Sequence, residues 1–456
     1  QDPDVLRGYV HDLAYRTFSD EREKVRSIGQ PNERLAQAVV RYTIGLGLLE
    51  HFLLDDRVED VYMDAPGAEN RWHVVLSGIG ERSTVRAETN IFGSDLEAAG
   101  LVSRLRQHSL KPFSEAIPVL ETDVPGYDAR ATVMGPPLSP HGHALAFRRH
   151  SRRPWTLLRL VRQGALSVSS AALLSFLIDG RSSMLVCGPR GAGKSSLLAA
   201  LLFEFHPNQR IVTIEDTLEL PVRQMQQLGY KAQSILVRPG LDRSVDESAD
   251  EALRVSLRLG ESALVMGEVR GREARTLFES MRTGKAGSSV LGTVHGESAR
   301  SVFERTVHDL GVAPEAFCAT DLVITLGLIR WQGSQRQERK VTELAEVRKD
   351  STPGGFEQMM ADIQDLEGLA DRPHFHLIER VANGWGMSYD DAVRNIVLRA
   401  GLRNILLEAQ ERTDKDLMGP EMVRACNEHL WAWTEERHGD DKKFLDRFRA
   451  LVQEMV

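Results

Sequence analysis

The apolar run Met184-Leu185-Val186-Cys187 leads straight into Gly188-Pro189-Arg190-Gly191-Ala192-Gly193-Lys194-Ser195, and the segment from Ser195 to Leu202 follows with helical spacing. Strand, Gly-x4-Gly-Lys-Ser and helix, in that order, define a phosphate-binding loop. Such a loop must join a buried strand to a helix N-terminus, which commits this part of the chain to an α/β layer fold. The glycines let backbone N–H groups close around a β-phosphate, and the helix N-terminus adds its dipole. Lys194 then bridges the β- and γ-phosphates as a point charge, and the Ser195 hydroxyl ligates Mg²⁺. The expected ligands are ATP and Mg²⁺, held by Gly188, Pro189, Arg190, Gly191, Ala192, Gly193, Lys194, Ser195 and Ser196.

From about residue 166 strands alternate with helices, the pattern of a parallel sheet covered on both faces. Beside Met184–Cys187, strands are predicted at Ile211–Ile214, Ala263–Met266, Ser289–Val294 and Leu322–Leu326. The expected division is a helical segment at 1–50, a mixed α/β domain at 51–150, a linker at 151–165, the nucleotide domain at 166–349 and a separate, mainly helical extension at 350–456. In that extension Trp431, Trp433, Phe444 and Phe448 are spaced for a helical apolar face, which reads as core packing or as a surface for a partner.

Three further predicted strands end in chemistry. Ile211–Ile214 runs into Glu215-Asp216, Ala263–Met266 into Gly267-Glu268-Val269-Arg270, and Ser289–Val294 into His295. In an open parallel sheet, ligands bind beyond the carboxyl ends of the strands. Lys194, Glu215, Glu268 and His295 therefore fall on one edge. Phosphoryl transfer needs such a set: a cation on the γ-phosphate, Mg²⁺ ligands, an acid to orient water and a group that reads the γ-phosphate.

The order of the phosphate loop, Ile214-Glu215-Asp216-Thr217-Leu218-Glu219-Leu220, Met266-Gly267-Glu268-Val269-Arg270 and Gly292-Thr293-Val294-His295 resembles the type II/type IV secretion ATPases, the motors of pili, archaella and conjugative secretion. There the four elements are called Walker A, Asp box, Walker B and His box. The stretch Ser256–Leu264 looks most like the archaeal branch. The resemblance implies a RecA-like P-loop NTPase domain behind a mixed α/β N-terminal domain, joined in a homo-hexameric ring. It implies that Glu215 and Glu268 activate the attacking water and hold the Mg²⁺ shell, that His295 senses the γ-phosphate and that Arg270 couples Glu268 to a neighbour. Arginine fingers are expected from Arg148, Arg130, Arg238 or Arg243. The implied partners are a polytopic membrane platform protein and, through it, pilin-like subunits. The four-Cys zinc subdomain of the bacterial secretion branch has no counterpart, because Cys187, Cys318 and Cys426 lie far apart.

Composition excludes other classes. No run of about 18 apolar residues occurs, so no helix is expected to span a membrane. The opening residues lack a basic stretch followed by an apolar one, so no signal peptide is expected in them. A cytoplasmic protein, peripheral at the inner face of the membrane through its partner, is the expectation. Residues 351–456 hold 20 acidic and 13 basic side chains, against 45 and 44 in the rest, so the net charge of −8 sits mainly in the tail. No basic footprint for a phosphate backbone stands out. That disfavours the alternative of a RecA-like nucleic-acid translocase, which needs basic or aromatic contacts to a strand. A small-molecule P-loop kinase is the third reading; it predicts a compact monomer and a phosphorylated product.

Overall fold

A computed structural model describes residues 3–20, 31–65, 70–77, 85–109, 111–124, 126–149, 153–237, 245–287, 289–330, 332, 337–349, 354–359, 375–435 and 440–455. The chain divides into two compact units, Gln1–Arg152 and Arg153–Val456.

In the first unit, β1 (Val58–Met63), β2 (Arg71–Leu76), β3 (Val85–Phe92), β4 (Val119–Val124), β5 (Ala129–Met134) and β6 (Ala144–Arg149) form an antiparallel sheet in the order β3-β2-β1-β6-β5-β4. The sheet has one wet face, and the sequence shows it: β4 alternates exposed and buried positions along Val-Leu-Glu-Thr-Asp-Val. The inward set, including Leu120, Ala131 and Phe147, packs with Leu101 and Leu105 of the helix Asp95–Ser109. Helices Pro3–Asp20 and Pro31–Thr43 precede the sheet.

The second unit is built on a larger sheet. Its strands are β7 (Met184–Gly188), β8 (Ile211–Glu215), β9 (Ala232–Leu236), β10 (Ala263–Met266), β11 (Ser289–His295), β12 (Leu322–Arg330), β13 (Gln337–Val347) and β14 (Phe356–Met359). Among the described residues their order is β14-β13-β12-β7-β11-β10-β8-β9. The strands from β12 to β9 run parallel, whereas β13 and β14 add antiparallel. The central strands are buried on both faces. Met184 and Val186 belong to one apolar cluster while Leu185 and Cys187 belong to the other, and Ile211 and Val212 split in the same way. This two-sided burial is why the parallel strands read as continuous apolar runs.

The helices after residue 375 share the first of these clusters. Leu402, Ile405 and Leu406 of the helix Tyr389–Gln410 pack in one core with Leu173, Phe176 and Leu177 of the helix Val168–Asp179. The segment expected to stand apart is thus packed onto the sheet's own helical layer. Its start is fixed by a capping box, in which Ser388 Oγ accepts from Asp391 N and the Asp391 carboxylate reaches back to Ser388 N. Phe444 and Phe448 are buried in the same core, and Trp431 Nε1 donates to Asp179 at 2.8 Å. Two arginines of the helix Tyr389–Gln410 are buried with acids: Arg399 meets Asp179 at 2.5 Å, and Arg403 meets Glu204 at 2.6 Å. Glu204 lies two residues past the helix Lys194–Leu202 that begins at the phosphate loop.

Candidate active site

The phosphate loop leaves β7 at Gly188. A Cβ there would sit 2.5 Å from the Leu326 carbonyl oxygen, so only glycine lets the loop pass β12. The loop closes at Gly193, the N-cap of the helix Lys194–Leu202, with φ of 95°. A side chain in this left-handed conformation would be strained. Ser195 and Ser196 lie in the first turn of that helix, where unpaired backbone N–H groups and the dipole favour an anion. Lys194 Nζ donates to the Gly188 and Pro189 carbonyls at 3.0 and 3.2 Å. Partial burial lowers the Lys194 pKa, a tendency opposed by the nearby Glu268 carboxylate.

Strand order carries three of the other motifs to the same edge. β11 lies beside β7 and sets His295 opposite Gly188, β10 lies beside β11 and β8 beside β10. His295 Nδ1 lies 3.5 Å from Lys194 Nζ, and His295 Nε2 lies 2.8 Å from Glu268 Oε1. An ammonium only donates and a carboxylate only accepts, so the neutral tautomer with its proton on Nε2 matches the polarity of both neighbours. Burial and the Lys194 charge lower the His295 pKa against the pull of Glu268.

Arg270 continues the chain of contacts. Its guanidinium lies 3.7 Å from Glu268 and donates to Asp216 at 3.0 Å, joining the loop after β10 to the residue after β8. Lys194, His295, Glu268, Arg270 and Asp216 thus form one polar chain across three adjoining strand ends and the phosphate loop. Asp216 lies in the quoted Asp-box stretch but is not among the residues expected to act.

Glu215 is disposed differently. It is buried, and Oε1 accepts from the Glu219 and Leu220 amides at 2.8 and 2.9 Å while Oε2 accepts from Thr213 Oγ1 at 3.3 Å. Burial pushes its pKa up to about 7 against those hydrogen bonds. In this arrangement Glu215 braces the turn after β8, and Glu268 is the carboxylate beside Lys194.

Of the arginine candidates, Arg148 on β6 and Arg130 on β5 are directly paired in register in the first unit. Arg148 meets Asp60 at 2.9 Å and Arg130 meets Glu121 at 2.8 Å. Arg238 and Arg243 lie outside the described residues. An arginine that sequence reasoning missed is Arg339 on β13, whose Nε donates to the Gly191 carbonyl of the phosphate loop at 3.0 Å. It lines a hollow with Trp155, Leu160, Leu166, Gly193 and Ser196. No motif marks Arg339, because the hairpin that brings β13 to the loop is a tertiary feature.

The residues present suit Mg²⁺ carried by a nucleotide. A hydroxyl at Ser195 and a carboxylate at Glu268 are hard oxygen donors, and Mg²⁺ is usually held by one or two such groups plus substrate phosphates. Among the described residues no cluster of three or more His, Cys, Asp or Glu could hold a metal by itself.

The sequence profile of the type II/IV secretion system protein family matches residues 99–363. The chain belongs to that family. The match takes in the phosphate loop and the three motif strands, and it ends before the helices His376–Trp385 through Asp441–Met455. The family's members are ATPases. An uncharacterized protein of Methanocaldococcus jannaschii is 30% identical over 249 residues, 53% of this chain and 33% of that protein. The type IV secretion system protein PtlH of Bordetella pertussis is 30% identical over 193 residues, 37% of this chain and 55% of PtlH. The chain therefore spans a third to about half the length of these relatives. Among solved structures, the Legionella pneumophila ATPase DotB is similar over 83% of this chain and 94% of its own, with 14% identity and a TM-score of 0.46. As a secretion-family protein the chain has, among its described residues, no helix long and apolar enough to cross a membrane.

Proposed function

We propose that this chain is a motor ATPase that binds ATP with Mg²⁺ at Gly188–Ser195 and hydrolyses it to drive assembly or secretion of pilin-like subunits. The observation that supports this reading best is the polar chain Lys194–His295–Glu268–Arg270–Asp216, which links the phosphate loop to three motif strands. Lys194 exchanges its two loop carbonyls for phosphate oxygens when nucleotide binds. Ser195 would hold Mg²⁺ brought in with the nucleotide, and the ion would supply charge neutralisation there. Glu268, partly exposed and held by neutral His295, orients and deprotonates the attacking water; Glu215 keeps the Asp-box turn in place and contributes to the outer metal shell. His295 reports the γ-phosphate to Glu268 because it touches both Lys194 and that acid. The hollow at Trp155, Leu166 and Arg339 takes the adenine base next to Ser196.

The working form in this reading is a homo-hexamer in the cytoplasm, attached to the membrane through a polytopic platform protein, with an arginine finger from Arg148 or Arg130, or from Arg238 or Arg243. Phosphate release from Mg-ATP by the full chain, with light scattering on the same sample, tests it. Free phosphate and a six-subunit mass support the motor. A phosphorylated acceptor from a monomer refutes it, as does hydrolysis that single-stranded DNA stimulates and membranes bearing the platform protein do not.

A further inference from the structure

The loop 267–271 carries both Glu268 and Arg270, so whatever fixes this loop fixes two members of the polar chain. Its near end is tied to flanking strands, with Gly267 N donating to Ile214 O at 2.9 Å and Val269 N to Thr293 O at 2.8 Å. At its far end a side chain takes that part. There Arg270 N and Gly271 N both donate to one oxygen, Glu273 Oε1, at 2.9 and 2.8 Å. Glu273 opens the helix Glu273–Arg282 and is 2% exposed. Its other oxygen, Oε2, is buried without a hydrogen-bond partner among the described residues. Glu273 lines a small cavity together with Glu215, Asp216, Glu268 and Arg270.

We propose that Glu273 is a positioning residue for hydrolysis: its buried carboxylate clamps the 270 and 271 amides so that Arg270 spans Asp216 and Glu268 and Glu268 stays against His295. This rests on the reading of Glu268 as the water-orienting acid. A first-turn carboxylate also favours a helix through the dipole, but an exposed one does so without the desolvation that a half-satisfied buried carboxylate incurs. Burial is therefore spent where it fixes a loop, in contact with the cavity shared by the two acidic motifs.

Two roles of Glu273 make opposite predictions. A clamp needs an acceptor oxygen at the reach of glutamate, which Glu273→Gln keeps and Glu273→Asp shortens by one methylene. A dipole partner needs the charge, which Glu273→Asp keeps and Glu273→Gln removes. Steady-state ATP hydrolysis by the full-length variants is expected to leave Glu273→Gln within about threefold of the parent kcat. Glu273→Asp and Glu273→Ala should lose about 10²-fold, the scale of a misplaced catalytic group, with KM for ATP changed by less than about twofold. In an Arg270→Ala background the Glu273→Asp loss should shrink, because part of what the clamp holds is gone. An Asp variant as active as the Gln variant, or an Ala variant with parental kcat, overturns the clamp. If Glu273→Ala does not fold, the order of the Gln and Asp variants still decides. Normal turnover by Glu268→Gln would instead sink the reading this inference rests on, whereas Glu268-dependent turnover indifferent to Glu273 sinks the clamp alone.

Discussion

His295 Nε2 lies 2.8 Å from Glu268 Oε1, so the end of β11 is in close polar contact with the acid that follows β10. The other ring nitrogen faces Lys194. The imidazole can serve both neighbours only while neutral. Its pKa is held below the ordinary value by burial and by Lys194. A depressed histidine pKa makes the folded state bind fewer protons than the unfolded one, so its stability contribution is present above the unfolded value of 6.5 and is lost as pH falls below it. The acid limb of kcat/KM should therefore follow a group titrating below 6.5, and His295→Asn should remove that limb while lowering the plateau. A pH–rate profile of both proteins checks this; an unchanged limb in His295→Asn would assign the limb elsewhere.

Glu215 behaves in the opposite sense. Burial raises its pKa from 4.5 to about 7. The folded state then holds the proton more tightly, so stability falls as pH rises from the unfolded value through about 7. Replacing the carboxyl by an amide removes this cost and keeps an acceptor for the Glu219 and Leu220 amides. Glu215→Gln should unfold at nearly the parental temperature at pH 5 and be more stable at pH 8, by on the order of 3 kcal/mol from the shift. Thermal unfolding at the two pH values is the measurement, and a pH-independent difference would contradict the assignment.

Arg270 is partly exposed, and so are both of its acids. Exposed ion pairs are worth about 0–1 kcal/mol of stability, so Arg270→Ala should hardly move Tm. Its effect belongs in turnover: kcat should fall by about tenfold or more as Asp216 and Glu268 lose their common partner, with KM little changed. A large Tm loss with normal turnover would make the residue a structural brace.

Arg403 and Glu204 meet at 2.6 Å inside the protein, and Glu204 also accepts from Ser175 and Asn427. Removing one partner of a buried pair typically costs about 3–5 kcal/mol. Arg403→Ala should approach that in urea unfolding. Combined with Glu204→Gln, its loss should fall short of the sum of the two single losses by more than about 1 kcal/mol. Strict additivity would mean that the pair does not couple the C-terminal helices to the end of the phosphate-loop helix.

What the sequence made legible follows from where the physics is local. Gly188 to Ser195 is read from eight consecutive residues, and β7, β8, β10, β11 and β12 are read from apolar runs that both faces of a sheet require. Strand order then places His295 and Glu268 near Lys194, which the motif order alone suggests but cannot measure. The missing parts depend on tertiary contact. Arg339 reaches Gly191 only through the hairpin of β12 and β13, and Glu273 looks from sequence like any first-turn acid. The helix Tyr389–Gln410 reads as an extension because its buried arginines, Arg399 and Arg403, resemble surface residues until Asp179 and Glu204 are seen beside them.

The most direct test of the account is Glu268→Gln in the full chain, measured for nucleotide binding and for phosphate release side by side. The account predicts ATP affinity within a few fold of the parent and turnover lower by about 10²–10⁴-fold, the range of a lost general base, while Lys194→Ala loses binding itself. Glu268→Gln that releases phosphate at the parental rate would contradict it.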